Sequence, residues 1–202
     1  MSILLLTIPV TCTALLLYIF FFWRRLKEDY ISKAIFNAAF LTLIATLVFS
    51  QFARLTDHQN AWFWGGFVGF FMSVMFFARS YKFKIFELYE AAGRSALFLI
   101  IAIGLADYLS FQNIKSLAIA GFCIALFGLF IVVDANYRKF TWYRSGRVGV
   151  AGLIILGVFF TARAIVAALG FDILSILGRI DFIFSGIVAF LHFFFVYHLS
   201  QN

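Results

Sequence analysis

Seven apolar runs, each near the length of a helix that crosses a bilayer, alternate along the chain with short polar stretches. They fall at residues 3–23, 34–52, 62–78, 85–106, 116–133, 148–169 and 178–198. A hydrocarbon core of ~30 Å takes about 20 residues of helix, so the pattern predicts an all-α integral membrane protein with seven transmembrane helices. The connecting segments are short, and the longest is DANYRKFTWYRSGR. With no internal repeat, linker or low-complexity tract, residues 1–202 read as a single polytopic domain. The first run has no basic residue before it and Arg24, Arg25 and Lys27 after it, the reverse of a cleaved signal peptide, so it is expected to be retained.

Composition agrees with that division. Hydrophobic residues make up 64% of the chain and charged residues 12%, with 30 Phe and one proline, Pro9. A soluble domain of this size cannot enclose so much apolar surface. The net charge of +7 is accounted for by where the basic residues lie. The first, third and fifth connections hold four, three and four Lys/Arg, whereas the second, fourth and sixth hold one each: Arg54, Lys115 and Arg179. Cytoplasmic loops collect Lys and Arg, which predicts an external N-terminus and a cytoplasmic C-terminus and leaves no need for a nucleic-acid partner. Cys12 and Cys123 lie in separate apolar runs without metal-ligand spacing, and neither a metal nor a cofactor is indicated.

Two arginines remain inside the spans. A charge there costs roughly 2.5–3.5 kcal/mol on insertion scales, so each requires a reason. Arg94 has Glu90 four residues before it on the same helix face, which points to a local ion pair. Arg163 sits among Ala162, Ala164, Ala167 and Ala168, ~9 Å from the outer end of the sixth span. It is read either as lining a cavity and gripping a phosphate or carboxylate, or as snorkelling to the interface. Other candidates share its depth. Asp107 closes the fourth span, as a general base, a partner for Arg163 or a solvated carboxylate, and Arg54 and His58 lie in the adjoining external connection. Gly65, Gly66 and Gly69 permit close helix packing or close approach of a headgroup to the backbone. Trp62 and Trp64 suit an interfacial belt, and Arg179 and Asp181 read as flanking charges of the seventh span. No Ser/His/Asp set or nucleotide loop is present.

Most of the chain resembles the prolipoprotein diacylglyceryl transferases, bacterial inner-membrane enzymes that lipidate lipoprotein precursors. SQFARL followed by WGGFVG is similar to that family's Gly-Ala-Arg-Leu segment followed by His-Gly-Gly-x-x-Gly. MFFARSYKFKIFELYE keeps the spacing to its next acidic helix. SGRVGVAGLIILGVFFTARAIVAAL is similar to its Pro-Gly start and Tyr-Gly-x-x-Arg-Phe-x-x-Glu helix. The chain departs from the family at its polar positions. Trp64 stands at the histidine, Gly104 and Asp107 at the arginine and asparagine of Gly-Arg-x-Gly-Asn, and Ala167 at the late glutamate.

The resemblance implies a multi-pass protein of the bacterial cytoplasmic membrane that binds a phosphatidylglycerol-like anionic phospholipid on its external side. Arg163 and Arg54 would hold the phosphate, and Trp64, Gly65, Gly66 and Gly69 would form the pocket backbone. An active transferase would use Asp107 or His58 to take the proton from the thiol of a membrane-tethered lipoprotein precursor. Loss of the matching polar positions implies weakened transfer, and the competing expectation is a non-catalytic lipid- or partner-binding protein on the same scaffold.

Overall fold

The computed structural model describes residues 2–55, 61–112, 114–136, 149–169 and 176–201. Within them lie α1 (Ser2–Leu26), α2 (Ser32–Arg54), α3 (Ala61–Ser80), α4 (Ile85–Phe111), α5 (Ile114–Asn136), α6 (Val150–Leu169) and α7 (Ile176–Gln201). All seven are long and apolar enough to cross a bilayer, the architecture of a multi-pass membrane protein. Each helix lies on one of the seven apolar runs, and most extend a few residues beyond it. The extensions have partners: α1 continues through Arg25, which reaches Glu90 of α4 at 2.8 Å.

Consecutive helices run up and down. Residues near the end of α2 meet the start of α3, and Gly104 late in α4 abuts Ser116 and Ala120 early in α5. The bundle therefore has a basic end, with Arg24, Arg25, Lys27, Lys33, Arg79, Lys82 and Lys84, and a tryptophan end, with Trp62 and Trp64. At the basic end the chain turns sharply before α6, where Gly149 adopts φ +106° and a Cβ would lie 2.5 Å from that of Phe86. Only glycine meets both demands. At the tryptophan end α4 stops at Gln112, whose left-handed backbone (φ 53°) returns its N–H to the Tyr108 carbonyl at 2.8 Å.

The most enclosed helix is α4, which packs against α1, α3, α5 and α6. Its buried face carries Leu88, Ala91, Ala92, Ser95 and Leu97, met by Phe22 and Leu26 of α1, Phe130 of α5 and Val150 and Leu153 of α6. Lipid tails are as apolar as these side chains, so dispersion and close fit rather than hydrophobic transfer hold such helices together. Small residues on α4 allow that fit. On the periphery, Val166, Phe190, Phe194 and Tyr197 point outward, as a lipid-facing surface requires.

The hairpin of α2 and α3 shows why three glycines begin α3. A Cβ on Gly65 would lie 2.4 Å from that of Ala53 and 2.5 Å from the Phe49 carbonyl oxygen, and one on Gly69 would lie 2.6 Å from the Ala45 carbonyl oxygen. Gly66 is less crowded, with Ser50 and Thr46 at 3.5 Å. Between close packing and a headgroup-lined backbone, the geometry is close packing: the glycine face of α3 is filled by α2.

Candidate functional site

At the tryptophan end, three helices bring charge together. Arg163 lies six residues before the end of α6 and Asp181 five residues after the start of α7, so in an antiparallel pair they reach nearly the same depth, ~8–9 Å from the helix ends. Arg163 Nη2 donates to Asp181 Oδ1 at 2.9 Å. Trp64 of α3 donates its indole Nε1–H to the same oxygen at 2.7 Å. The Arg163 guanidinium carbon also stands 3.8 Å from the centre of the Phe63 ring, a cation–π contact. Trp64 is wedged among Phe67, Phe160 and Phe184. Arg163 is thus not alone. It bridges α6, α7 and α3 within an aromatic surround.

The cluster is incompletely satisfied. A guanidinium has five N–H donors and a carboxylate has two oxygens, and a single bond joins the two groups. Arg163 Nε is buried with no hydrogen-bond partner. Asp181 Oδ1 accepts both bonds, while Oδ2 meets no donor among the described residues. One turn further along α7, the Ser185 hydroxyl is also fully buried without a partner.

The other candidates do not converge here. Asp107 accepts a hydrogen bond from Ser116 of α5, tying α4 to α5 across their connection, and Arg163 has Asp181 as its carboxylate partner instead. Gly65 and Gly69 face α2, and of the α3 entry residues Trp64 and Phe63 touch the arginine cluster. His58 and the Arg54 side chain lie outside the described residues. Asp181 is the residue that sequence reasoning passed over, being taken for a flanking charge. Its matching depth with Arg163 across a helix hairpin was the available signal.

Charge at the basic end is arranged differently. Glu90 is bound by Arg25 Nε at 2.8 Å, so the expected local Glu90–Arg94 pair gives way to one between helices. Arg94 faces Asp134 of α5 at 3.8 Å instead, with its guanidinium over the rings of Phe21, Phe127 and Phe130. Packing of α1 on α4 decides this, because it delivers Arg25 directly to Glu90. Glu87 accepts from Tyr30 Oη at 2.9 Å on one oxygen and from Lys84 Nζ at 3.1 Å on the other. Tyr30 and Lys84, in the turns outside the spans, are both shifted upward. Burial is the main cause for Tyr30, and the hydrogen bond to Glu87 is the main cause for Lys84.

Deeper in the bundle, the Tyr89 hydroxyl lies 2.7 Å from His192 Nε2, and His192 Nδ1 lies 2.6 Å from the Val188 carbonyl oxygen. A carbonyl only accepts, so Nδ1 carries the proton toward Val188, and in the neutral ring Tyr89 donates to Nε2. Both ring nitrogens are then satisfied. Among the described residues no group of three or more His, Cys, Asp or Glu is placed to hold a metal ion.

Compared with known protein families, with curated proteins and with solved structures, the chain matches none.

Proposed function

We propose that this is a multi-pass protein of a bacterial cytoplasmic membrane, N-terminus outside and C-terminus inside, that binds a phospholipid by its phosphate at Arg163. We further propose that it is built on the prolipoprotein diacylglyceryl transferase plan but transfers diacylglycerol poorly or not at all. The loop charge bias, eleven Lys/Arg against three, supports the orientation, in which the tryptophan end faces outward. The observation that carries the binding reading is that Arg163, held by Asp181 and Phe63 near the tryptophan end, spends a single hydrogen bond on Asp181 while its side chain stays 20% exposed. A guanidinium in a low-dielectric surround is a strong phosphate ligand.

Weak transfer follows from chemistry. Trp64, Gly104 and Ala167 occupy positions where the resembling family carries polar groups, and none of the three can exchange a proton or carry charge. Losing one positioned acid–base group costs on the order of 10²–10⁴ in rate, and groups that act as a unit fail together. Asp107, engaged by Ser116, stands where that family has a neutral asparagine.

Native mass spectrometry of the purified protein with added phospholipid, beside a thioether-forming assay with a lipobox peptide, tests both halves. The expected result is retained lipid that Arg163→Ala reduces about tenfold, with no thioether formed. Lipid retention unaffected by Arg163→Ala, or turnover abolished by it, contradicts the respective half.

A further inference from the structure

We infer that the headgroup taken at this site is zwitterionic, carrying a phosphate and a primary ammonium, as in phosphatidylethanolamine, rather than the anionic headgroup of phosphatidylglycerol. This inference rests on Arg163 being a phosphate site. Its ground is the carboxylate that comes with the arginine. Asp181 lies 2.9 Å from Arg163 and its side chain is only 11% exposed, so the pair is close to neutral before any ligand arrives. An anionic headgroup would leave one uncompensated negative charge in a weakly solvated site, next to a carboxylate that repels it. A zwitterion leaves the total at zero.

The bonding capacity has the same two-sided form. On the Arg163 side, Nε is enclosed by protein, but the guanidinium side chain is 20% exposed and the bond to Asp181 uses one of its Nη N–H groups, so phosphate oxygens have the remaining Nη donors to meet. On the Asp181 side, Trp64 and Arg163 both bond to Oδ1, and Oδ2 has no donor among the described residues. An ammonium placed a two-carbon spacer away from a bound phosphate would supply one. Trp64 contributes by fixing the carboxylate: its N–H locks Oδ1 and so orients Oδ2. A carboxylate oxygen needs an N–H to form a charge-assisted hydrogen bond, so the site also distinguishes a primary ammonium from the quaternary ammonium of choline.

The test uses the full-length, delipidated protein in detergent with equimolar phosphatidylethanolamine, phosphatidylglycerol and phosphatidylcholine of identical acyl chains, bound lipid being read by native mass spectrometry. The wild type is expected to retain phosphatidylethanolamine about tenfold over each of the others. Asp181→Asn is expected to erase that preference, and Arg163→Ala to lower retention of all three. The wild-type competition decides by itself if Asp181→Asn fails to fold. Preference for phosphatidylglycerol, lost with Arg163→Ala, overturns the zwitterion inference and leaves the phosphate reading standing. Equal retention of all three with no effect of Arg163→Ala overturns both, and the cluster is then a structural clip. Equal retention of phosphatidylethanolamine and phosphatidylcholine overturns the primary-ammonium requirement. A further arm with soluble phosphoethanolamine separates sources. It should compete at least tenfold less well than the lipid, and equal competition would assign the site to a free metabolite.

Discussion

Glu87 at the basic end and Asp181 at the tryptophan end are both buried carboxylates that accept two hydrogen bonds from side chains on other segments. Glu87 receives Tyr30 on one oxygen and Lys84 on the other, so both of its oxygens are engaged. Asp181 receives Arg163 and Trp64 on a single oxygen. Each arrangement ties segments together: Glu87 joins the α1–α2 turn to α4, and Asp181 joins α3, α6 and α7. They differ in what is left over. A carboxylate with both oxygens engaged is a rivet, whereas one with an idle oxygen beside a guanidinium with idle donors has structural work and spare valence at once. Ion pairing inside a membrane bundle does not by itself mark a site, nor does one unpartnered donor: Arg94 Nε at the basic end is buried without a hydrogen-bond partner as well, with Asp134 3.8 Å away.

The contrast can be broken most forcefully at Arg25. Truncating it to Ala strands Glu90, whose side chain is 2% exposed, without its cation. Orphaning a buried charge costs about 3–5 kcal/mol, and denaturant unfolding in mixed micelles should register a loss of that order. Arg163→Ala should cost less, about 1–2 kcal/mol, because Trp64 still holds Asp181. Equal losses would mean that both ends are purely structural.

Gly69→Ala supplies an intermediate effect that leaves both charge clusters in place. Its new Cβ would lie 2.6 Å from the Ala45 carbonyl oxygen, so α2 and α3 must move apart, at about 1–3 kcal/mol. Unfolding in the same micelles checks it, and lipid retention should survive, since the glycine face is turned to α2. Loss of lipid with normal stability would return these glycines to the binding site.

A smaller effect is expected from Trp64→Phe, which keeps a ring but removes the N–H that fixes Asp181. One hydrogen bond to a charged group is lost, worth about 1.5–3 kcal/mol at most and less where water can replace it. Lipid selectivity should fall more than the melting temperature does. The smallest signal is alkaline. The folded state raises the pKa of Tyr30 and of Lys84, so it favours the protonated form of both. That contribution is complete below about pH 10, the ordinary range of both groups, and is lost as pH rises through the elevated values. Melting temperature followed across this range should drop less in Tyr30→Phe than in the wild type.

The sequence revealed the helices better than the site. Apolar runs near 20 residues bounded by charge could be counted directly, because a bilayer dictates their length. Gly65 and Gly69 were legible as a close-packing face, but not which helix would fill it. Side-chain pairing was least legible. Glu90 and Arg94, four residues apart, made an obvious local pair, yet Arg25, 65 residues away, takes the glutamate because α1 lies along α4. Asp181 was hidden for the same reason, since its partners Arg163 and Trp64 are brought to it by the order of helices in the bundle.

The central claim, that Arg163 meets a lipid phosphate while Arg25 does not, can be measured as a distance. With arginine side chains ¹⁵N-labelled and the protein in phosphatidylethanolamine-containing bilayers, solid-state NMR dephasing between ¹⁵N and lipid ³¹P reports guanidinium–phosphate contacts of a few ångströms. Comparison of the wild type with Arg163→Lys and Arg25→Lys assigns the signal. The account predicts strong dephasing that disappears in Arg163→Lys and persists in Arg25→Lys. Dephasing unchanged by Arg163→Lys would contradict it.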